Sequence, residues 1–314
     1  MILAIAMNPA IDKVYAVDDF TVNKIFRAKS MAATAGGKGL NVARVARTLG
    51  ETVMVSGFVG GSAGQFINNQ LRKIGIISEF VQVDGETRTC INILDEKNGT
   101  STEVLEPGPI IAPDEYRNFL QRFEGLLDDC DVITASGSLP QGVPASSYRE
   151  LISIARTKGK KFILDTSGEY LREGIKEGPF MVKPNQHELS QVMGYNISSR
   201  DDCIRALKQL KKAGVCLPVA TLGDKGCVAA LHDGIYHFYS PPIKVVSPVG
   251  SGDAFVAGCA VALSRGREPV DVIKLGMACG MANTQFFETG MVSNELVDRF
   301  LKSIQIEIWS REDV

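Results

Sequence analysis

The sequence predicts an α/β domain built on a mostly parallel sheet, and three observations carry that prediction. Short apolar runs rich in β-branched residues recur along the 314-residue chain, each closing on a glycine or polar turn. Stretches with helical spacing lie between them, as crossover helices require. Two segments break the alternation, with strands following one another without a helix.

The first run, ILAIA (2–6), reads as a buried strand, and LNVARVARTLG (40–50) as a helix closed by Gly50. TVMVSGFVG (52–60), DVITASGS (131–138), KKFILDTSG (160–168), FMVKPN (180–185) and PVATLGDKG (218–226) repeat the strand-and-turn theme, with helices expected over 144–157 and 199–212. Ligands gather at the carboxyl ends of such strands, where these polar turns lie. The exceptional segments are 12–35 and 86–106. The second has the tight-turn sequence Lys97-Asn98-Gly99 between two strands. Together they predict a small separate sheet, a lid over the ligand edge. No internal repeat or low-complexity linker interrupts the chain, so one domain with an inserted lid is expected.

Composition narrows the function. A hydrophobic content of 45%, a net charge of −2 and a mean hydropathy of +0.04 suit a soluble protein with a sizeable core. They provide no global field for nucleic acid or an anionic membrane. The start, MILAIAMNPAID, is too short and uncharged for a signal peptide, and no run is long enough to span a bilayer. Seven cysteines, an odd number without a C-x-x-C pair, read as reduced thiols, several of them in the core, and a cytoplasmic address is expected. The three histidines, 187, 232 and 237, lack metal-ligand spacing and are expected on the surface or in loops.

The stretch SPVGSGDAFVAGCAVAL (247–263) sets Gly-Ser-Gly-Asp at the start of an unbroken apolar helix. Free amides at a helix N-terminus, aided by the dipole, bind anions, and the glycines admit a close approach. A carboxylate at that point, Asp253, is either an ordinary N-cap or a base that takes a proton from a hydroxyl. The string lacks the third glycine of a dinucleotide fingerprint and lies late in the chain, and no G-x-x-x-x-G-K-[ST] loop occurs. AGGKGLNVARV (35–45) is a second glycine turn opening a helix. Gly36, Gly37 and Gly39 allow close approach, Lys38 offers charge and Asn41 a bidentate amide; a plain tight turn with Asn41 exposed is the alternative. Arg88 in GETRTCIN, with Lys24 and Arg27 in the other inserted segment, puts three cations on two expected strands, enough to clamp a phosphorylated ligand or simply to solvate a sheet face. Asp12, just after the first strand, can accept two hydroxyls of a sugar, or is otherwise a turn residue. In KPNQHEL (183–189) a capping box explains Asn185 and Glu188, whereas Lys183 and Asn185 on phosphates and Glu188 on a water-bound Mg²⁺ is the functional alternative.

Taken together these strings resemble the ribokinase/PfkB family of sugar kinases over essentially the whole chain. AGGKGLNVAR is similar to the family's first signature and PVGSGDAFVAG to its second, with SGSLPQG and VKPNQHE resembling intermediate motifs. TAGGKGLN, GETRTCINIL, TEVLEPGP and GMANTQFFETG resemble the branch acting on phosphorylated ketohexoses, the tagatose-6-phosphate kinases first and the 1-phosphofructokinases second. The resemblance implies a ribokinase-like, Rossmann-like sheet with a β lid, and ATP and Mg²⁺ as cosubstrate and metal. It implies transfer of phosphate to D-tagatose 6-phosphate, or alternatively to fructose 1-phosphate. Asp253 would be the base, and Gly250, Ser251 and Gly252 the anion hole. Asp12, Gly37, Asn41 and Ser138 would hold sugar hydroxyls, with Lys38 beside them and Lys24, Arg27 and Arg88 on the sugar's phosphate. Lys183, Asn185, Thr221, Gly223 and Gly226 would face ATP, and Glu188 would order Mg²⁺ through water. Many members carry Asp-Thr, linked to a monovalent cation, where this chain has Ser247-Pro248, so potassium activation is not expected. An inactive sugar-phosphate sensor is the alternative from another class, opposed by the intact Asp253 and its glycines. An exposed lid would also offer a homodimer contact.

Overall fold

A computed structural model describes residues 1–311. Fifteen strands and ten helices follow in chain order: β1 (Ile2–Ala6), β2 (Ala10–Val17), β3 (Ser30–Gly36), α1 (Lys38–Thr48), β4 (Val53–Val59), α2 (Gly61–Lys73), β5 (Ile77–Ser78), β6 (Val81–Gln82), β7 (Thr89–Asp95), β8 (Thr100–Leu105), α3 (Pro113–Leu126), β9 (Val132–Ser136), α4 (Ser147–Thr157), β10 (Lys161–Asp165), α5 (Gly168–Ile175), β11 (Met181–Val182), α6 (Gln186–Met193), α7 (Arg200–Lys212), β12 (Leu217–Thr221), β13 (Cys227–Ala230), β14 (Ile235–Tyr239), α8 (Ser251–Ser264), α9 (Pro269–Asn283), α10 (Asn294–Leu301) and β15 (Gln305–Ser310).

The large sheet runs β15-β14-β13-β12-β11-β10-β9-β1-β4-β5, with β6 sharing the β4 edge. It is parallel from β5 to β12 and antiparallel from β12 to β15. β1 and β4 are buried along their whole length, as strands covered on both faces must be. Ile2, Ala4 and Ala6 join one apolar layer with α1, α2, α8, α9 and α10; Leu3, Ile5 and Met7 join the other with α3, α4, α5 and α7. From β1 the chain winds outward both ways, to β4 on one side and β9 on the other. That reversal leaves a crevice at the carboxyl ends of β1 and β9, where α/β sheets receive ligands.

The lid is a four-stranded sheet, β3-β2-β7-β8, with β2 and β7 parallel and the other pairs antiparallel. It occupies the two exceptional segments, but residues 18–29 form a loop and Arg88 lies just ahead of β7. None of the three basic residues expected on lid strands is therefore on one. Asp95 ties the far end together, accepting hydrogen bonds from the amides of Asp19, Phe20 and Asn98 and from Asn98 Nδ2. His237 is likewise on a strand, β14, rather than in a loop. Five cysteines are buried, Cys90 is half-buried and Cys216 exposed, all of them free thiols. No helix of the described residues is long and apolar enough to cross a membrane.

Behind the crevice lies α8, whose residues from Asp253 to Leu263 are all buried. A helix apolar on every side has to be covered on every side. Here β9 and α1 cover it in front, and α9 crosses close behind, where a Cβ on Gly258 would approach the Leu275 carbonyl to 2.6 Å.

Candidate active site

The crevice is a cleft of about 280 Å³ between the sheet edge and the lid. Asn8 and Pro9 follow β1, Gly37, Lys38 and Gly39 open α1, and Ser136, Gly137 and Ser138 end β9. Thr166, Ser167 and Tyr170 follow β10, while Arg88 and Leu105 come from the lid side. The Ser136 hydroxyl is buried there without a protein partner, and an unmatched hydroxyl beside a polar cleft is suited to meet a ligand.

Glycines shape the cleft's lid wall. A Cβ on Gly36 would lie 1.9 Å from Asp12 Oδ2, and one on Gly39 2.7 Å from the Ile5 carbonyl. Both glycines thus admit a neighbouring part of the protein rather than a ligand. Gly37, with φ +94°, donates its amide to Asp12 Oδ2 at 3.3 Å. Burial raises the Asp12 carboxyl above its ordinary range, against the pull of that amide, Arg88 and Arg44.

The α8 terminus differs from a side-chain cap. Its cap is Gly250, in the left-handed region at φ +80°, and Asp253 lies inside the first turn without capping it. Asp253 Oδ2 instead accepts a 2.8 Å hydrogen bond from Asn41 Nδ2, and both residues are buried. The alternative of an exposed Asn41 is corrected: the residue is buried and its amide is turned to the acid. Burial pushes Asp253 up to about 6, with Asp165 adding to the rise and Lys38, Asn41 and Lys183 opposing it. The Ser251 amide is taken by the Pro248 carbonyl at 3.3 Å, whereas the amides of Gly250, Gly252 and Asp253 meet no acceptor among the described residues. Those three, not Ser251, form the free cradle.

Between cleft and cradle stands Asp165, missed in the sequence. Its Oδ1 faces Lys183 Nζ at 3.1 Å and its Oδ2 Lys38 Nζ at 3.5 Å, and its side chain is 2% exposed. Burial alone would raise this carboxyl, but the two ammonium groups hold it below its ordinary value. Asp165 in turn holds Lys38 above the usual lysine range, against the cost of burial. Lys183 Nζ also lies 3.3 Å from where a Gly252 Cβ would be, so Lys183 faces the cradle and Lys38 the cleft.

This geometry — a cleft lined with hydroxyls and a buried carboxyl under open amides and two ammonium groups — suits phosphoryl transfer to an alcohol. The sequence profile of the pfkB family of carbohydrate kinases matches residues 1–294. The chain belongs to that family. It is an ATP-dependent sugar kinase. Its structure aligns with one from Thermotoga maritima described as a possible 1-phosphofructokinase, at TM-score 0.90 and 29% identity over 98% of this chain and 99% of that one. It also aligns with phosphofructokinase-2 from Escherichia coli in complex with potassium, at 0.90 and 26% over 96% and 98%. The same enzyme in complex with fructose-6-phosphate aligns at 0.88 and 25% over the same shares.

Within this pfkB kinase the expected residues fall into separate groups. Gly37, Lys38, Arg88 and Ser138 line the cleft, Asp12 joins it through Gly37, Asn41 is bonded to Asp253, and Lys183 is paired with Asp165. Arg88 spends Nε and Nη2 on the Asn8 carbonyl, at 3.1 and 2.7 Å, while Nη1 reaches the Glu106 carbonyl at 3.4 Å. Lys24 and Arg27 lie in the exposed loop at the far end of the lid and do not line the cleft. The expectation of a three-cation clamp within one chain is therefore corrected.

Asn185, Thr221, Gly223 and Gly226 form a second group at the ends of β11 and β12, where Asn185 bridges Thr221 and the Leu222 amide donates to the Gly226 carbonyl. Gly226 is required by packing, since a Cβ would lie 2.0 Å from the Phe238 carbonyl, whereas Gly223 faces open space. The capping box is formed: Asn185 Oδ1 accepts from the Glu188 amide and Glu188 Oε2 from the Asn185 amide, both at 2.9 Å. The local cap thus accounts for one carboxylate oxygen of Glu188. No three acidic, histidine or cysteine side chains among the described residues converge as a metal cage.

Proposed function

We propose that this kinase phosphorylates a ketohexose phosphate at its free primary alcohol, converting D-tagatose 6-phosphate to the 1,6-bisphosphate. The observation that carries the reading is Asp253, buried, held by Asn41 and lying under the unclaimed amides of Gly250, Gly252 and Asp253 itself. The sugar occupies the cleft, with Asp12, Gly37 and Ser138 toward its hydroxyls and Lys38 and Arg88 supplying positive charge. As the alcohol attacks the γ-phosphorus, Asp253 takes its proton, and the bond to the leaving phosphate oxygen breaks. Charge gathers on the transferred group, where the cradle and Lys183 stabilise it. The turn from Thr221 to Gly226, with Asn185, carries the rest of the nucleotide. Mg²⁺, when bound, neutralises phosphate charge, and Glu188 would order one of its waters through the oxygen left over from the cap. The lid closes the cleft to water, which would otherwise compete as acceptor.

A second reading, phosphorylation of fructose 1-phosphate, is supported by the Thermotoga relative. The two substrates are near mirror images in layout, a ring with a phosphate at one end and a primary alcohol at the other. A coupled ADP-release assay across phosphorylated ketohexoses separates them. Fastest turnover with tagatose 6-phosphate, unchanged by added KCl, is the expected result. Preference for fructose 1-phosphate selects the second reading, and ADP release with no sugar phosphate tested defeats both.

Lys24 and Arg27 can serve a substrate only in a second copy's cleft, since they lie away from their own. The lid offers a surface for one. In the loop, Val22 and Ile25 are 83% and 94% exposed, and on the lid's two edge strands Met31, Val104 and Leu105 are also uncovered. An exposed sheet edge with apolar residues seeks cover. A homodimer through the lid is expected in light scattering, and a monomer at micromolar concentration removes the idea.

A further inference from the structure

We infer that Arg44 is the positioning residue for the base, holding the Asn41 amide on Asp253 and tying the lid to that contact. The inference rests on Asp253 being the base. Arg44 lies on α1, one turn after Asn41, and is half-buried. Its guanidinium makes a three-way junction. Nη1 donates to Asn41 Oδ1 at 3.3 Å and to the Thr289 carbonyl at 2.8 Å, and Nη2 donates to the carbonyl of Ala35, the residue before the lid's last glycine. Thr289 Oγ1 meets the same Asn41 Oδ1 at 3.4 Å. With its oxygen claimed twice, the Asn41 amide can present only Nδ2 to Asp253, and a flip would set two acceptors against each other.

No carboxylate among the described residues is within ion-pair distance of Arg44, and Asp12 and Glu288 act on it only from farther away. Burial pulls its guanidinium below the ordinary arginine value. A desolvated cation spent on two carbonyls and an amide oxygen is a poor contributor to stability, so its directional fork is the feature that accounts for it. The surroundings confirm how closely the junction is fitted: Gly290, at φ +66°, could not carry a Cβ without approaching Arg44 Nη1 to 2.9 Å and Asn41 Cα to 2.9 Å. Ala35 is the last residue but one of β3, the lid strand whose Gly36 lies over Asp12. A lid displacement therefore reaches the base through one side chain.

The groups facing Asp253 are Lys38 from α1, Asp165 at the end of β10 and Lys183 after β11, with Asn41 the neutral donor. The Asn41 hydrogen bond favours the ionised acid, so losing it moves the acid limb of activity to higher pH. The experiment measures kcat against pH, sugar KM and thermal midpoint for Arg44→Met and Arg44→Lys, each alone and combined with Asn41→Ala. We expect kcat to fall ~10- to 100-fold, with the acid limb displaced upward. Neither change should deepen once Asn41 is already alanine, because Arg44 acts through it. Wild-type kcat and an unmoved limb, with only a lowered thermal midpoint, mean a structural role and overturn the inference. Arg44→Lys keeps the charge and stem but loses the fork, so it carries the same test if Arg44→Met does not fold. Asp253→Asn runs in parallel: full turnover there refutes the base itself, whereas an inactive Asp253→Asn beside normal Arg44 variants refutes only the junction.

Discussion

Asp253→Asn should lose turnover by ~10²–10⁴-fold while binding sugar phosphate almost normally and unfolding at higher urea than the wild type at pH 8. The first effect follows from removing the proton acceptor, the second from its burial. Because the folded acid is raised to about 6 from an ordinary 3.8, its favourable contribution is present below the lower value and lost as pH climbs through the higher one. At pH 8 the ionised side chain therefore costs up to about 3 kcal/mol, which asparagine avoids while still accepting from Asn41. Urea midpoints at pH 5 and pH 8 check this: the gain should be large at pH 8 and shrink at pH 5. The wild-type rate should fall below about pH 6, as the base protonates. Near-normal turnover in the variant, or equal stability at pH 8, would contradict the assignment of Asp253 as a buried base.

Asp165→Asn should be the most destabilising change at the site. Removing the carboxylate strands Lys183, whose side chain is 6% exposed, and releases Lys38. Breaking a buried pair costs about 3–5 kcal/mol, nearly all of it here from the Lys183 arm, because Lys38 is 46% exposed and solvent screens it. Lys38→Met should accordingly be much milder in a urea melt than Asp165→Asn. The carboxyl is held below its ordinary value, so its stabilisation is present above about pH 4 and is lost on further acidification. Equal loss from the two substitutions would mean that the lysine arms share the energy.

Much of this was readable from residue order, for identifiable reasons. Apolar runs ending in glycine or polar turns mark strands buried on both faces, so β1, β4, β9, β10 and β12 each begin within a residue of the run that predicted them, while the turns that close the runs lie beyond the strands. The glycines before Asp253 were legible because φ +80° at Gly250 leaves few alternatives. Lys24 and Arg27 misled because charge on an inserted segment says nothing of which end of the lid bears it. Asn41 misled because a polar residue in a first helical turn is usually solvated, and only α8, 212 positions away, explains its burial. Asp165 went unremarked at the end of an ordinary strand. Its one clue was a charge closing the apolar run KFILD.

The crossing of α8 over α9 at Gly258 has a practical corollary for anyone hunting functional positions by random mutagenesis. Because that helix carries the acid at its tip and has no room to recoil at its waist, bulk introduced on the rear side levers the tip out of line. Inactive clones will accumulate at residues that never meet a reactant, and sorting them from genuine contacts will need coordinates rather than a catalogue of lost activity.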